Sequence, residues 1–352
     1  MREFSSRAGR FLAPPPETAG DDKLTRMNDS LDALLNDYRA LTTGCALFDR
    51  STTGGLGRLE MLGADRQRFL NAYVTCDVKP LAAGDGAYGF LTSAQGRILS
   101  DLVVLVHPDR LWLEVGAGQE EAIADHLRKY IIVDRVEIRP LGDMLPLTLI
   151  GPRSAEILGS ALEAVPEGDW KHARAKVDGT EVTLQRTGRL GAPAFTLWVS
   201  ASIAPHLEEG LLSHPGGIRR VGPEALEVLR VEAGIPRFGQ DFGPENFPQE
   251  TGDESAVSYA VSYTKGCYLG QEVVARIHYR GGVQKALRRL ELDGPVQPGS
   301  GLSFEGREVG VATSVVRSQD GRTIGLGILH KRAAEPGTRL EVAGGGTATV
   351  IG

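Results

Sequence analysis

Lys265-Gly266-Cys267-Tyr268-Leu269-Gly270-Gln271-Glu272, continuing through Val273 to Leu287 (VVARIHYRGGVQKAL), divides this sequence into two kinds of chain. Before it, helical and strand periodicities alternate. After it, only short β-type runs remain. The run also carries the densest chemistry of the chain. Cys267 stands between Gly266 and Gly270, with the Lys265 cation just before it and the Glu272 carboxylate just after. A thiol reacts as its thiolate, and a neighbouring ammonium favours that form. The glycines permit positive φ or close approach to a ligand. Arg276 brings a second cation to the same stretch. The plainer alternative is a buried cysteine serving as a small hydrophobe; its Gly, Lys, Gln and Glu neighbours speak against that.

Downstream, the runs Leu287–Leu292, Val309–Val316, Thr323–Gly327 and Arg339–Val342 read as strands. They are separated by Asp293-Gly294-Pro295, Pro298-Gly299, Glu305-Gly306, Asp320-Gly321 and Pro336-Gly337. Dense turns between short strands predict a small antiparallel barrel over 287–352.

Upstream, Asn28-Asp29-Ser30 offers N-caps for a helix with Leu31, Leu34, Leu35, Tyr38 and Leu41 on one face. Gly57–Leu62 alternates as a strand, and Asp65 can cap a helix burying Phe69 and Leu70. Tyr88–Thr92, Ile98–His107 and Leu111–Val115, joined at Ser93-Ala94-Gln95-Gly96 and Pro108-Asp109, read as an antiparallel meander. An amphipathic helix follows over Gln119–Tyr130. After Pro140 a comparable unit repeats, with strands at Leu147–Ile150, Val182–Leu184 and Phe195–Val199. Its helices fall at Ser154–Ala164, Ile203–Leu212 and Pro223–Leu229. The pattern predicts an α+β body over 27–286, divided near 140–150. Residues 1–26 lack sustained periodicity and read as a disordered extension.

The totals narrow the function. At 352 residues the chain exceeds one compact core. A net charge of −6 opposes a general nucleic-acid surface. The three cysteines, Cys45, Cys76 and Cys267, form no C-x-x-C pair, which argues against a zinc ribbon or dithiol site. One chain with three thiols cannot hold a four-thiolate cluster, and no metal site is expected. Scattered thiols fit a reducing compartment, here taken as the cytoplasm, or the mitochondrial matrix for a eukaryotic source. No apolar run approaches the length of a membrane span.

The Lys265–Leu287 run resembles the signature of the YgfZ family, folate-binding proteins of iron–sulfur cluster maintenance related to the glycine cleavage T-protein (aminomethyltransferase). Leu229-Arg230-Val231-Glu232-Ala233-Gly234-Ile235-Pro236 and Asn246-Phe247-Pro248-Gln249-Glu250 are similar to further segments of these families. The resemblance implies two intertwined antiparallel-sheet lobes with flanking helices, followed by the barrel. It implies tetrahydrofolate or a related folate as cofactor, and iron–sulfur cluster proteins or their assembly factors as partners.

Carried over by the resemblance, Cys267 is the reactive thiol. Lys265, Tyr268, Gln271, Glu272, Arg276, Arg230 and Asp101 are the folate-contacting set, Arg230 pairing with a glutamyl carboxylate. Asp101, the surviving member of an acidic pair in the T-proteins, is a second catalytic candidate; its plainer role is a turn cap. Arg186–Pro193 resembles the T-protein segment Gly-Tyr-Thr-Gly-Glu-Asp-Gly, and Ala192 is taken as the residue at its pterin-binding glutamate. Alanine accepts no hydrogen bond. The first expectation is therefore a folate-binding accessory factor. A folate-dependent aminomethyl- or methyl-transferase and a non-catalytic interaction module are the alternatives.

Overall fold

The computed structural model describes residues 19–51, 55–162, 165–177 and 179–352. Its first helix, Ala19–Thr43, begins well before the cap expected at 28–30. No proline interrupts 19–27. The expected extension 1–26 is thus helical from Ala19 on, and its earlier part lies outside the described residues.

The first lobe is a five-stranded antiparallel sheet in the order Gly86–Thr92, Ile98–Val106, Leu111–Gly116, Leu56–Leu62, Glu137–Pro140. The meander is local, with Tyr88 opposite Val103 and Leu105 opposite Trp112. The helices Arg66–Asn71 and Glu120–Arg128 cover one face through Phe69, Leu70, Ile123 and Leu127, all buried.

The second lobe has six strands in the order Ile218–Arg220, Cys45–Asp49, Met144–Ile150, Ala194–Ser200, Thr180–Thr187, His172–Val177. Cys45–Asp49 precedes the first lobe in sequence but pairs antiparallel with Met144–Ile150 and parallel with Ile218–Arg220. This crossing intertwines the lobes: the second sheet takes strands from 45–49 and from 144–220, on either side of the 56–140 segment that builds the first.

Between the sheets lies a polar stack. The Arg58 guanidinium sits over Trp112 at 3.8 Å and over Trp198 at 3.3 Å. Trp198 Nε1 donates to Glu114 and Gln185, each at 2.9 Å. Burial pulls the Arg58 pKa down to about 9, and burial also raises that of Glu114.

Lys285–Asp293, Thr323–His330, Arg307–Arg317, Gly301–Phe304, Arg339–Val342 and Thr347–Val350 close into a barrel, the last strand pairing back onto the first. Leu290, Leu302, Ala312, Leu340 and Ala348 fill it. A further apolar cluster ties the barrel to the body. Leu287, Ile324 and Leu326 meet Tyr88 and Phe90 of the first sheet through Val231, Phe242, Val257 and Val274. Among the described residues no helix is long and apolar enough to cross a membrane.

Candidate functional site

A cavity of about 840 Å³ opens where the two sheets, the helix Pro223–Glu232 and the barrel meet. That size falls in the range of small-molecule sites, about 300–1,000 Å³. Phe48, Leu190, Val228 and Phe238 give it apolar walls. Asp101, Glu114 and Glu227 supply carboxyls, and Arg50, Arg189 and Arg237 supply guanidinium groups.

Each polar group arrives from a different element. Asp101 lies on the strand Ile98–Val106, opposite Phe90, and accepts a hydrogen bond from the Tyr88 hydroxyl at 2.9 Å. Burial raises its pKa; Tyr88, Arg189 and Arg50 pull the other way without overcoming burial. A carboxyl in that condition holds its proton closer to neutrality than an exposed aspartate does. Arg189 follows the strand Thr180–Thr187 with φ 59, the left-handed region that a bulky residue seldom occupies. Its guanidinium lies 4.4 Å from the centre of the Tyr88 ring. Arg50 follows the strand Cys45–Asp49 and acts electrostatically on Glu114, Arg237 and Asp101.

The cavity brings together two of the residues picked from the sequence, Asp101 and Arg230. Arg230 is only 6 % exposed, and its whole guanidinium is engaged within the protein. Nε and Nη2 donate to Glu227, and Nη1 donates to Asp241 at 2.6 Å and to the Ile235 carbonyl at 2.7 Å. Nη2 also donates to Ser314 Oγ at 2.8 Å. No donor remains for a glutamyl carboxylate, so the expected ligand contact gives way to a clamp between the helix and the barrel. A β-bulge between Ala312 and Ser314 completes the clamp. The extra residue lets both Thr313 and Ser314 hydroxyls donate to Asp241 Oδ1 at 2.6 Å.

The Cys267 loop lies elsewhere. Cys267 is exposed, whereas Cys45 and Cys76 are buried and pushed up by burial to about 12 and about 11. Lys265 does not serve as the cation for the Cys267 thiol. It is 8 % exposed, and its Nζ donates to the carbonyls of Val74 at 2.8 Å and Cys76 at 2.6 Å. Burial draws its pKa down to about 8, and the thiol acting on it is that of Cys76. Tyr268 is buried below the Lys265 ammonium, 5.3 Å from it. Gln271 opens the helix Gln271–Arg276; Glu272 and Arg276 pair with each other on its exposed side at 2.8 Å. None of these side chains lines the cavity.

Sequence reasoning also missed Arg50, Tyr88, Glu114, Arg189 and Glu227. One signal was available. On the frame Thr-Gly-x-x-Gly, Thr187-Gly188-Arg189-Leu190-Gly191 sets Arg189, not Ala192, at the T-protein glutamate. The structure agrees with that frame, because Arg189 lines the cavity while Ala192 packs on the cluster of Ile150, Ala194 and Leu229.

Residues 7–261 match the family described as the GCVT N-terminal domain, well over half of the chain. The chain belongs to the GCVT-domain family. An aminomethyltransferase of Thermotoga neapolitana is 28 % identical over 319 residues, covering 88 % of this GCVT-domain chain and 85 % of the relative. One from Rubrobacter xylanophilus is 29 % identical over 299 residues, covering 82 % and 77 %. A protein of Arabidopsis thaliana with a provisional name as a chloroplastic transferase is 28 % identical over 329 residues, covering 92 % and 73 %. The crystal structure of the glycine cleavage system aminomethyltransferase T of Bartonella henselae superposes with a TM-score of 0.79. It is 23 % identical and covers 90 % of this chain and 88 % of its own. The fold is accordingly T-protein-like: intertwined α+β lobes followed by a closed six-stranded barrel.

Proposed function

We propose that this GCVT-domain protein binds a reduced folate in the cavity and acts as a folate-dependent transferase of the aminomethyltransferase type. The observation that carries the reading is Asp101, a half-buried carboxyl on the cavity wall, held by Tyr88 and keeping a raised pKa. The donor set suits a folate. The apolar walls fit ring faces, Asp101, Glu114 and Glu227 can accept from ring N–H groups, and the arginines can meet carboxylates. Tetrahydrofolate, when bound, would supply the nitrogen that accepts a one-carbon unit. The protein's part is to exclude water with Leu190, Val228 and Phe238 and to give or take a proton at the Asp101 carboxyl.

Thermal unfolding with added tetrahydrofolate tests binding, since a ligand of the native state must raise the melting temperature. Mass detection of one-carbon adducts after incubation with glycine, sarcosine or dimethylglycine tests turnover. Asp101→Asn is expected to cut turnover by about a hundredfold or more while the folate Kd stays within about threefold. An unchanged melting temperature across the titration overturns the reading.

A second reading, the iron–sulfur accessory role implied by resemblance to the YgfZ family, is favoured by one observation: Cys267 is exposed and away from the cavity. That position suits a thiol meeting a cluster-bearing partner better than one acting on a bound folate. In cells lacking the native protein, Cys267→Ser is expected to leave cluster-enzyme activities low. Full rescue by that variant removes the thiol from the account.

A further inference from the structure

Most arginines that approach buried surfaces in this protein are matched. Arg230 meets Glu227 and Asp241, Arg110 and Arg139 meet Glu60, and Arg237 meets Glu227 at 3.0 Å. Arg58 has no acceptor but is sandwiched between Trp112 and Trp198, away from the cavity; Arg50 and Arg189 differ from all of these. Both line the cavity, both are partly buried, and neither guanidinium donates to a protein acceptor among the described residues. They come from separate elements, the end of Cys45–Asp49 and the turn after Thr180–Thr187, yet both act on the same carboxyl, Asp101. Glu114 faces Arg50, but its oxygens accept from Trp198 and Gln185. Asp101 accepts from Tyr88. Two planar donor forks thus line the same cavity within electrostatic reach of Asp101, one of them on a backbone of unfavourable φ. Partly desolvated guanidinium groups left without acceptors are costly, and their fork geometry matches a planar oxyanion bidentately.

We propose that Arg50 and Arg189 form a carboxylate seat beside Asp101. The seat holds a ligand's carboxylate next to the group assigned to proton handling. It deepens, and rests on, the folate-transferase reading of the same cavity. Two sources share this chemistry: the glutamyl portion of the folate, and a separate amino-acid substrate.

The test compares wild type, Arg50→Gln, Arg189→Gln and Arg189→Lys by calorimetric titration. The probes are tetrahydrofolate, tetrahydropteroate (which lacks the glutamyl carboxylates), glycine and sarcosine. Circular dichroism confirms folding; Arg189 lies on a turn, so its variants keep the read-out if Arg50→Gln unfolds. Loss of one charge-assisted fork is expected to weaken the seated carboxylate ligand about ten- to a hundredfold. Arg189→Lys should recover part of that loss, since it keeps the charge and loses the fork. Weakened tetrahydrofolate with unchanged tetrahydropteroate places the glutamyl group in the seat. Weakened glycine or sarcosine with unchanged folate places a second substrate there. Should the amino acids bind in an arginine-dependent way while neither folate binds, the folate reading fails and the seat stands. Tetrahydropteroate binding with every carboxylate probe indifferent to both arginines overturns the seat and leaves the folate reading intact.

Discussion

Replacing Arg230 with alanine should destabilise the protein rather than merely empty a binding site. Its guanidinium lies against Asp241, whose side chain is fully buried, and against Glu227, whose side chain is 23 % exposed. Removing one partner of a buried pair costs about 3–5 kcal/mol, chiefly because the other charge stays behind unpaired. Here Asp241 would keep three donors: Thr313 and Ser314 hydroxyls at 2.6 Å and the Arg237 backbone N–H at 2.9 Å. Glu227 would keep Arg237 at 3.0 Å. Those remaining contacts favour the low end, about 3 kcal/mol. Urea unfolding followed by circular dichroism measures it. The double variant Arg230→Ala/Asp241→Asn should recover on the order of 1–2 kcal/mol of the loss, because the orphaned charge is gone. The reasoning is refuted if Arg230→Ala lies within about 0.5 kcal/mol of wild type and has lost affinity for tetrahydrofolate. That result would make Arg230 a ligand contact after all.

Other predictions follow from the Cys267 loop. With a folded-state pKa of about 8 against the ordinary lysine value of 10.5, Lys265 is deprotonated in the native state before the unfolded one. The unfolded chain then binds more protons, so the Lys265 contribution raises stability as pH climbs from about 8 to about 10.5. Lys265→Met should flatten that rise relative to wild type in urea midpoints measured across the window; an identical pH slope in the two proteins would contradict it. Titration of native protein with an aromatic disulfide reagent should label Cys267 quickly, and Cys45 and Cys76 only on unfolding. Fast labelling that persists in Cys267→Ser would overturn that order. Gly270→Ala should cost about 2 kcal/mol or more, since φ is 85 and a Cβ would run into the Ser93 carbonyl. A melting temperature equal to wild type would show that the loop is not pinned there.

The parts of the fold that were legible are those made by neighbours in sequence. The meander over 86–116 and the barrel strands 285–293 and 307–317 announce themselves by alternation and turns, and the structure places them within a few residues. The strand Cys45–Asp49 was missed because its partners lie at 144–150 and 218–220, so no local turn marks it. The three-residue strand Ile218–Arg220 has no pattern of its own. In the site, Asp101 could be picked through resemblance and Arg189 only through the frame of its Thr-Gly-x-x-Gly run, whereas nothing local marks Arg50, which lines the cavity only in the folded protein. Arg230 shows the converse. An arginine beside a familiar segment invited a ligand role, and only the register of a distant bulge at 312–314 revealed its protein partners.

The structure also separates two roles that the sequence reading joined in the run from Lys265 to Arg276. Most of its unusual residues hold the loop to the first lobe. Lys265 ties it to the carbonyls of Val74 and Cys76, and the Leu269 N–H and carbonyl bond to the Ala72 carbonyl and the Thr92 hydroxyl. Gly270 comes within contact of the turn at Ser93–Gly96 because it lacks a side chain. That turn leads into Ile98–Val106, the strand that carries Asp101. A run of charged and glycine residues can therefore be explained by packing, without asking each of them to touch a ligand. Cys267 is left outside that explanation: it is exposed and caps no helix. A Cys267→Ser protein should consequently unfold at the wild-type temperature within about 1 °C, since surface substitutions away from such features stay within about 0.5 kcal/mol. A clear drop in melting temperature would assign the thiol to the packing that holds the loop to the first lobe and remove the need for any chemistry there.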